Sequence, residues 1–186
     1  MFRDRGVNRS EFGEGFTIIE LTITIAIVAL LSATIVGYQR DAGNRRELTL
    51  DAQKVMQDLR RVQNYALSAK AALCGTQTVV VNYGVRFVPS TNLAVYQIFK
   101  DCSGNKLWAS SETEETVRLS YSSIRTISPN YGGTLQVVFI PPAPDTAVNG
   151  NSTTAGRTAS MTICHRRKTS VCKSIVVNEK GAISVQ

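Results

Sequence analysis

The stretch FTIIELTITIAIVALLSATIVGYQ, residues 16–39, decides the fold of this chain. Glu20 is the only charged residue in it. As a helix it would be about 36 Å long, whereas the hydrocarbon of a bilayer is roughly 30 Å thick. A signal peptide has a shorter apolar core, about 7–15 residues, followed by a small-residue cleavage site. The stretch therefore predicts a transmembrane helix, and a buried helix of a soluble protein is the alternative.

Glu20 has a physical explanation if the chain is cut just before Phe16. The new amine would lie four residues from the carboxylate on one helical face, and the acid would lie at the positive end of the helix dipole. An unpaired charge within hydrocarbon costs on the order of 3 kcal/mol. We therefore expect Glu20 to have a partner, and the free amine of a neighbouring copy would supply one.

Length and charge limit how many domains the chain can form and where its basic residues lie. With 186 residues and a formal charge of +7, the chain fits one anchored domain of ordinary size, and its basic excess lies after residue 15. Arginines flank the apolar segment on both sides, so their number does not fix its orientation. They are Arg3, Arg5 and Arg9 before it, and Arg40, Arg45 and Arg46 after it.

Residues 40–73 predict an amphipathic helix that continues out of the membrane into the domain. Small or apolar residues recur at spacings of four and three, which is the period of one helical face. They are Leu48, Ala52, Val55, Leu59, Val62, Ala66, Ala69 and Leu73. Packing against the chain's own sheet is the favoured interpretation, and a coiled coil is the alternative. Asp41 to Asn44, with Gly43, is the expected break between the two helical halves.

Residues 74–186 have the pattern of strands. Short runs rich in Val, Ile, Thr, Tyr and Phe are separated by Gly, Asn, Pro and Ser, which predicts an antiparallel sheet of six or seven strands. A Pro- and Gly-rich stretch at about 141–157 predicts a long exposed loop. The expected fold class is therefore α+β, with a long N-terminal helix packed on a β-rich domain.

Four cysteines, Cys74, Cys102, Cys164 and Cys172, allow three disulfide pairings. The order of the strands favours Cys164 with Cys172 across a hairpin, which leaves Cys74 with Cys102. Disulfides indicate a domain outside the cytoplasm. Zinc is the alternative because His165 adjoins Cys164, but neighbouring residues on a strand point to opposite faces.

No catalytic or cofactor motif is present in the sequence. His165 is the only histidine, and no phosphate-binding loop, dinucleotide fingerprint or metalloprotease helix occurs. We therefore expect neither an enzyme nor a cofactor or metal site.

The residues EGFTIIEL, 14–21, resemble the processing motif of type IV prepilins and type II secretion pseudopilins. The resemblance implies a leader peptide, residues 1–15, that a prepilin peptidase removes after Gly15 before methylating the Phe16 amine. It also implies that Glu20 pairs with the amine of an adjacent subunit during filament assembly. The expected location is the bacterial inner membrane, single-pass, with the C-terminal domain outside the cytoplasm until assembly into a pilus or pseudopilus.

A weaker resemblance covers most of the chain. The segments DLRRVQNYALSA, NYGVRF, MTIC and SIVVNEKGAISV are similar to minor pilins of the GspH/FimT type. This implies a pilin-like fold and a minor structural subunit, filament-initiating or at the tip, of a type IV pilus or a type II secretion pseudopilus. Its partners would be other pilin or pseudopilin subunits. The alternative is a DNA-binding minor pilin that acts in DNA uptake.

The segment CHRRKTSVCK carries the DNA-binding hypothesis. If the hairpin forms, Arg166, Arg167, Lys168 and Lys173 would gather at its tip, and His165 would add charge below about pH 6.5. Such a tip would contact phosphates without reading bases, so binding would fall with salt. A solvated basic turn is the alternative. DNA-binding relatives carry arginines around a glycine near the C-terminus. Here Lys180 precedes Gly181, and Ala182 and Ile183 follow it.

Overall fold

The structure is a computed structural model that describes residues 16–92, 94–129, 133–142, 145–152 and 158–186, without the side chains of 36, 37, 151 and 152. The chain forms two compact units, Met1–Asp41 and Ala42–Gln186, and each is described by itself. The predicted leader, including Gly15, lies outside the described residues. Helix α1, Ile18–Leu67, runs through both units.

Helix α1 is continuous where the sequence predicted a break. Asp41 to Asn44 are all helical, although the boundary between the units falls just before Ala42. Gly43 costs a helix only about 1 kcal/mol relative to alanine. Strong helix formers on both sides offset that cost, because adding residues to an existing helix is favourable.

The predicted helical face is confirmed from Leu48 to Ala66, but the helix does not extend to residue 73. The face residues Leu48, Ala52, Val55, Leu59, Val62 and Ala66 are all buried. Ala69 has a φ of 49°, and its N–H donates to Ala66 while that of Lys70 donates to Tyr65. These paired bonds are the Schellman arrangement that ends helices. Leu73 therefore lies on a strand.

Twelve strands occur in the described residues, more than the six or seven predicted. In chain order they are β1 Ala71–Cys74, β2 Gln77–Val80, β3 Asn82–Phe87, β4 Val95–Asp101, β5 Thr113–Arg118, β6 Ser122–Ser128, β7 Leu135–Phe139, β8 Thr146–Val148, β9 Asn151–Ser152, β10 Ala159–His165, β11 Cys172–Val177 and β12 Ile183–Val185.

The strands form three antiparallel sheets. A two-stranded sheet has the order β1-β2, a four-stranded sheet β12-β11-β10-β6, and a six-stranded sheet β5-β4-β3-β7-β8-β9. The run TQTVVVNYGVRF, residues 76–87, has the sequence pattern of one strand. In the structure it divides at Val81, because β2 pairs with β1 whereas β3 pairs with β4 and β7.

The sequence pattern did not predict strand β6, because its apolar residues do not alternate. Ile124 and Ile127 are three residues apart, yet both are buried. An irregularity between Thr162 and Ile163 of β10 shifts the pairing, so that Ile124 opposes Ile163 and Ile127 opposes Met161. A bulge of this kind returns both side chains to the core face.

The predicted exposed loop at about 141–157 contains a buried strand. Thr146, Ala147 and Val148 form β8 and are all buried. The strand pairs with β7, and Val148 lies opposite Val137. Three residues are too few to show an alternating pattern, and the surrounding Pro, Gly and Asn are typical of loops, so the sequence did not predict this strand. Residues 143–144 and 153–157 lie outside the described residues.

One hydrophobic core joins the helix to both larger sheets in the second unit. It contains the buried helix face together with Tyr83, Phe87 and Tyr96 of the six-stranded sheet and Ile163 and Ile175 of the four-stranded sheet. The fold class α+β, a long N-terminal helix packed on antiparallel sheets, is confirmed. Because this helix face is covered by the chain's own sheets, a coiled coil is not needed to bury it.

Candidate functional site

The apolar part of helix α1 is exposed along its whole described length. Every Phe, Ile, Leu and Val side chain between Phe16 and Ile35 is between 52% and 82% exposed. This segment is long and apolar enough to cross a membrane by length and composition. An apolar surface of this extent needs a bilayer or other helices to cover it.

Four hydroxyl groups within the apolar part of helix α1 are satisfied by the helix itself. Each donates to a main-chain carbonyl three or four residues earlier, at 2.7 to 2.8 Å. An unsatisfied hydroxyl in hydrocarbon is costly, so these bonds suit the segment to apolar surroundings. The donors are Thr22, Thr24, Ser32 and Thr34.

Glu20 is exposed in the first turn of helix α1. Its N–H donates to the hydroxyl of Thr17 at 3.3 Å, and Thr17 immediately precedes the helix. Thr-x-x-Glu at a helix start is the capping-box pattern, which therefore contributes a local reason for an acid at this position. Among the described residues no side chain pairs with the Glu20 carboxylate. The acid remains available to a group outside them.

The cysteines form two disulfides. Cys74 joins Cys102, with an S–S distance of 1.95 Å, and Cys164 joins Cys172 at 2.03 Å. These are the two pairs that the order of the strands favoured. The second disulfide joins directly opposed residues of β10 and β11 and closes the basic turn, whereas the first ties β1 to the end of β4.

Three of the four basic residues predicted at this tip, Arg166, Arg167 and Lys168, lie in the turn, but Lys173 is separated from them on β11. Arg166 and Arg167 are exposed and line a polar cleft. Lys173 is half-buried and lines separate cavities beside helix α1, next to Thr49. Its position on β11 has the parity of buried Ile175, so its side chain leaves the strand on the helix side. Lys168 lies within the turn and is half-buried.

His165 is also placed differently from the prediction. It is buried at the end of β10, and its Nε2 lies 2.9 Å from a carboxylate oxygen of Glu47 on helix α1. Its Nδ1 is buried without a hydrogen-bond partner among the described residues. The side chain therefore belongs to the junction of helix and sheet, and it does not add exposed charge to the turn.

The polar cleft has a volume of about 180 Å³ and lies where three segments meet in the second unit. Glu47 comes from helix α1, and the other lining residues come from the turn after β5, the end of β10 and the turn after β10. They are Ser120, Tyr121, His165, Arg166 and Arg167. Sequence reasoning missed Glu47, Ser120 and Tyr121.

Hydrogen bonds fix all three walls of this cleft. The Asp51 carboxylate, one helical turn after Glu47, accepts from the N–H groups of Ser120 and Tyr121 at 3.3 and 2.9 Å. The N–H of Arg166 donates to the Tyr121 carbonyl at 2.9 Å. The spacing of Glu47 and Asp51 is the one sequence signal for this junction, because residues four apart share a helical face.

Comparison of the chain with protein-family models, curated proteins and solved structures gives no match. The functional interpretation therefore depends on the sequence motif and on the geometry of the described residues.

Proposed function

We propose that this protein is a minor pilin or pseudopilin, a structural subunit that inserts its apolar N-terminal helix into a helical filament. The observation that carries the proposal is the 24-residue apolar segment, whose side chains are exposed wherever the structure describes them. Its single acid, Glu20, pairs with no side chain among the described residues. Hydrocarbon would cover this surface before assembly, and the corresponding helices of neighbouring subunits would cover it afterwards.

The motif EGFTIIEL supports the finer steps of this function. A prepilin peptidase and methyltransferase would cut after Gly15 and methylate Phe16, and the new amine would then pair with Glu20 of the next subunit. This pairing would remove the cost of an isolated carboxylate in apolar surroundings. The protein would wait in the bacterial inner membrane, with its disulfide-bonded unit outside the cytoplasm, as a subunit of a type IV pilus or a secretion pseudopilus.

Replacing Glu20 tests the proposed pairing. We expect Glu20→Ala to insert into the membrane as the wild type does, because it removes a polar group, and to be depleted from sheared filaments. Thr22→Ala is the matched control, since the Thr22 hydroxyl bonds within its own helix. Equal recovery of both variants in filaments would contradict the role of Glu20.

A second candidate function is DNA capture at the surface of the filament. It is favoured by Arg166 and Arg167, which are exposed residues on a disulfide-closed turn. Neither has a side-chain hydrogen bond or ion pair among the residues that the structure describes.

Fluorescence anisotropy of labelled duplex DNA with the full chain in nonionic detergent tests DNA capture. Binding that weakens with salt and is lost on changing Arg166, Arg167 and Lys168 to alanine would support it. Absence of binding at low salt would leave the filament role alone.

A further inference from the structure

The polar cleft differs from an ordinary solvated basic turn because its two arginines line a preformed recess. Arg166 and Arg167, the hydroxyl-bearing residues Ser120 and Tyr121, and His165 line a space of about 180 Å³ together with Glu47. A phosphate group is small enough for this space and has oxygens for several donors at once. Guanidinium groups bind such an oxyanion through two parallel hydrogen bonds, which a single ammonium group cannot supply.

The backbone around the cleft is held in place before any ligand arrives. The Cys164–Cys172 disulfide closes the turn, and His165 N–H donates to the Val171 carbonyl at 2.9 Å. The Arg166 N–H is bonded to the neighbouring turn, which is itself fixed by Asp51. Binding would then have to order side chains but not the backbone, so its entropic cost is reduced.

Glu47 opposes an anion in the cleft, and its position explains how that effect is limited. Its carboxylate lies 2.9 Å from His165 Nε2. The hydrogen bond directs the carboxylate toward the imidazole. Glu47, Arg166 and Arg167 all line the cleft, and their formal charges sum to +1. The acid would then reduce the affinity for an anion without abolishing it.

We propose that this cleft is a binding site for one phosphate oxyanion, held by Arg166 and Arg167 and by hydroxyl donors of Ser120 and Tyr121. The proposal deepens the second candidate function and rests on it for the natural source of the phosphate, a nucleic-acid phosphodiester. Where the sequence predicted a basic tip that contacts phosphates, the proposal assigns one defined phosphate-binding site.

Isothermal titration of the full chain in dodecyl maltoside, in phosphate-free buffer, tests the site with inorganic phosphate and with dimethyl phosphate. Sodium chloride of equal ionic strength provides the blank. We expect Arg166→Gln/Arg167→Gln to weaken binding of both probes by roughly tenfold or more, because charge-assisted hydrogen bonds are lost. Arg60→Gln/Arg118→Gln, which removes the same charge at exposed positions outside the cleft, should retain wild-type binding.

Glu47→Gln gives a change of the opposite sign. Its amide keeps a hydrogen-bonding group beside His165, and we expect phosphate to bind about threefold more tightly because a nearby negative charge is removed. A variant that failed to fold could not show tighter binding, so this result separates ligand recognition from stability.

Two results would overturn the proposal. One is a heat of phosphate titration no greater than that of the chloride blank, and the other is equal phosphate binding by Arg166→Gln/Arg167→Gln and Arg60→Gln/Arg118→Gln. Phosphate binding without DNA binding would support the cleft and remove the DNA candidate. DNA binding without phosphate binding would contradict the cleft and keep the DNA candidate. Neither result affects the Glu20 test of the filament role.

Discussion

Tyr96 links the six-stranded sheet to helix α1 through one part-buried hydrogen bond. Its phenol donates to the Asp58 carboxylate at 2.5 Å, and the same carboxylate lies 3.1 Å from Arg61. Burial, followed by the bond to Asp58, raises the pKa of Tyr96 above its ordinary value. The folded protein therefore keeps the phenol proton at pH values where the unfolded chain loses it.

The pH dependence of stability follows from that raised pKa. The stabilisation is complete below pH 10, the ordinary tyrosine pKa, and decreases as pH rises above it, by about 1.4 kcal/mol per pH unit. We expect Tyr96→Phe to cost about 1.5–3 kcal/mol below pH 10, since a hydrogen bond to a charged group is lost. Its free energy of unfolding should also fall less steeply above pH 10. Urea titrations on both sides of pH 10 measure both effects, and parallel pH profiles would contradict this account.

Ala69 occupies a position that favours glycine. Its φ of 49° is left-handed, and it ends helix α1 where a residue without a Cβ is usual. We expect Ala69→Gly to raise the free energy of unfolding by about 0.5–1 kcal/mol, because left-handed backbone costs an L-residue about 1–2 kcal/mol and glycine's larger unfolded-state entropy offsets part of the gain. Ala66→Gly, the same change in the buried helix, should destabilise by about 1 kcal/mol or more. Destabilisation by both changes in urea titrations would argue against the strain at Ala69.

At the scale of elements, the β1–β2 hairpin depends on its covalent link to the sheet. All residues of β2 are exposed, as are Leu73 and Ala71 of β1. The Cys74–Cys102 disulfide and a 2.8 Å hydrogen bond from Lys100 Nζ to the Leu73 carbonyl join the hairpin to β4. An isolated two-stranded hairpin is marginal in water, so the disulfide is the main constraint on it.

Removing this disulfide should loosen the hairpin selectively. In Cys74→Ser/Cys102→Ser we expect amide hydrogens of residues 71–80 to exchange faster while those of β3 remain protected. The free energy of unfolding should fall by about 3.5 kcal/mol on the chain-entropy model, for a sequence separation of 28. Cys164→Ser/Cys172→Ser is the control and should leave exchange in the hairpin unchanged. Equal protection of the hairpin in all three proteins would contradict the role assigned to Cys74–Cys102.

At the scale of the whole molecule, the filament proposal requires that the chain be processed before assembly. We expect intact-mass analysis of the membrane fraction to find a chain that begins at Phe16 with a methylated amine. Gly15→Val should block the cut, because the resemblance places cleavage directly after that glycine. Gly13→Val, a matched change two residues earlier, should be processed normally. A mature protein that still began at Met1, or began well inside the apolar segment, would contradict the pilin interpretation.

The sequence by itself determined the features that are encoded by nearby residues. The apolar segment 16–39, the acid in its first turn and the helix face from Leu48 to Ala66 all follow from composition or from a 3.6-residue period. The cysteine pairs also agree with the order of the strands. Helix and hairpin patterns of this kind are readable because their interactions span only a few residues.

Only the tertiary structure decided which distant segments meet. Glu47 and His165 are 118 residues apart, and no local pattern predicts that they line the same cleft as Arg166. The pairing of β6 with β10, the burial of β8 and the separation of Lys173 from the arginines likewise depend on long-range contacts. The physical reason is that strand register and cleft geometry are set by packing of the whole core, to which each residue contributes only a small part.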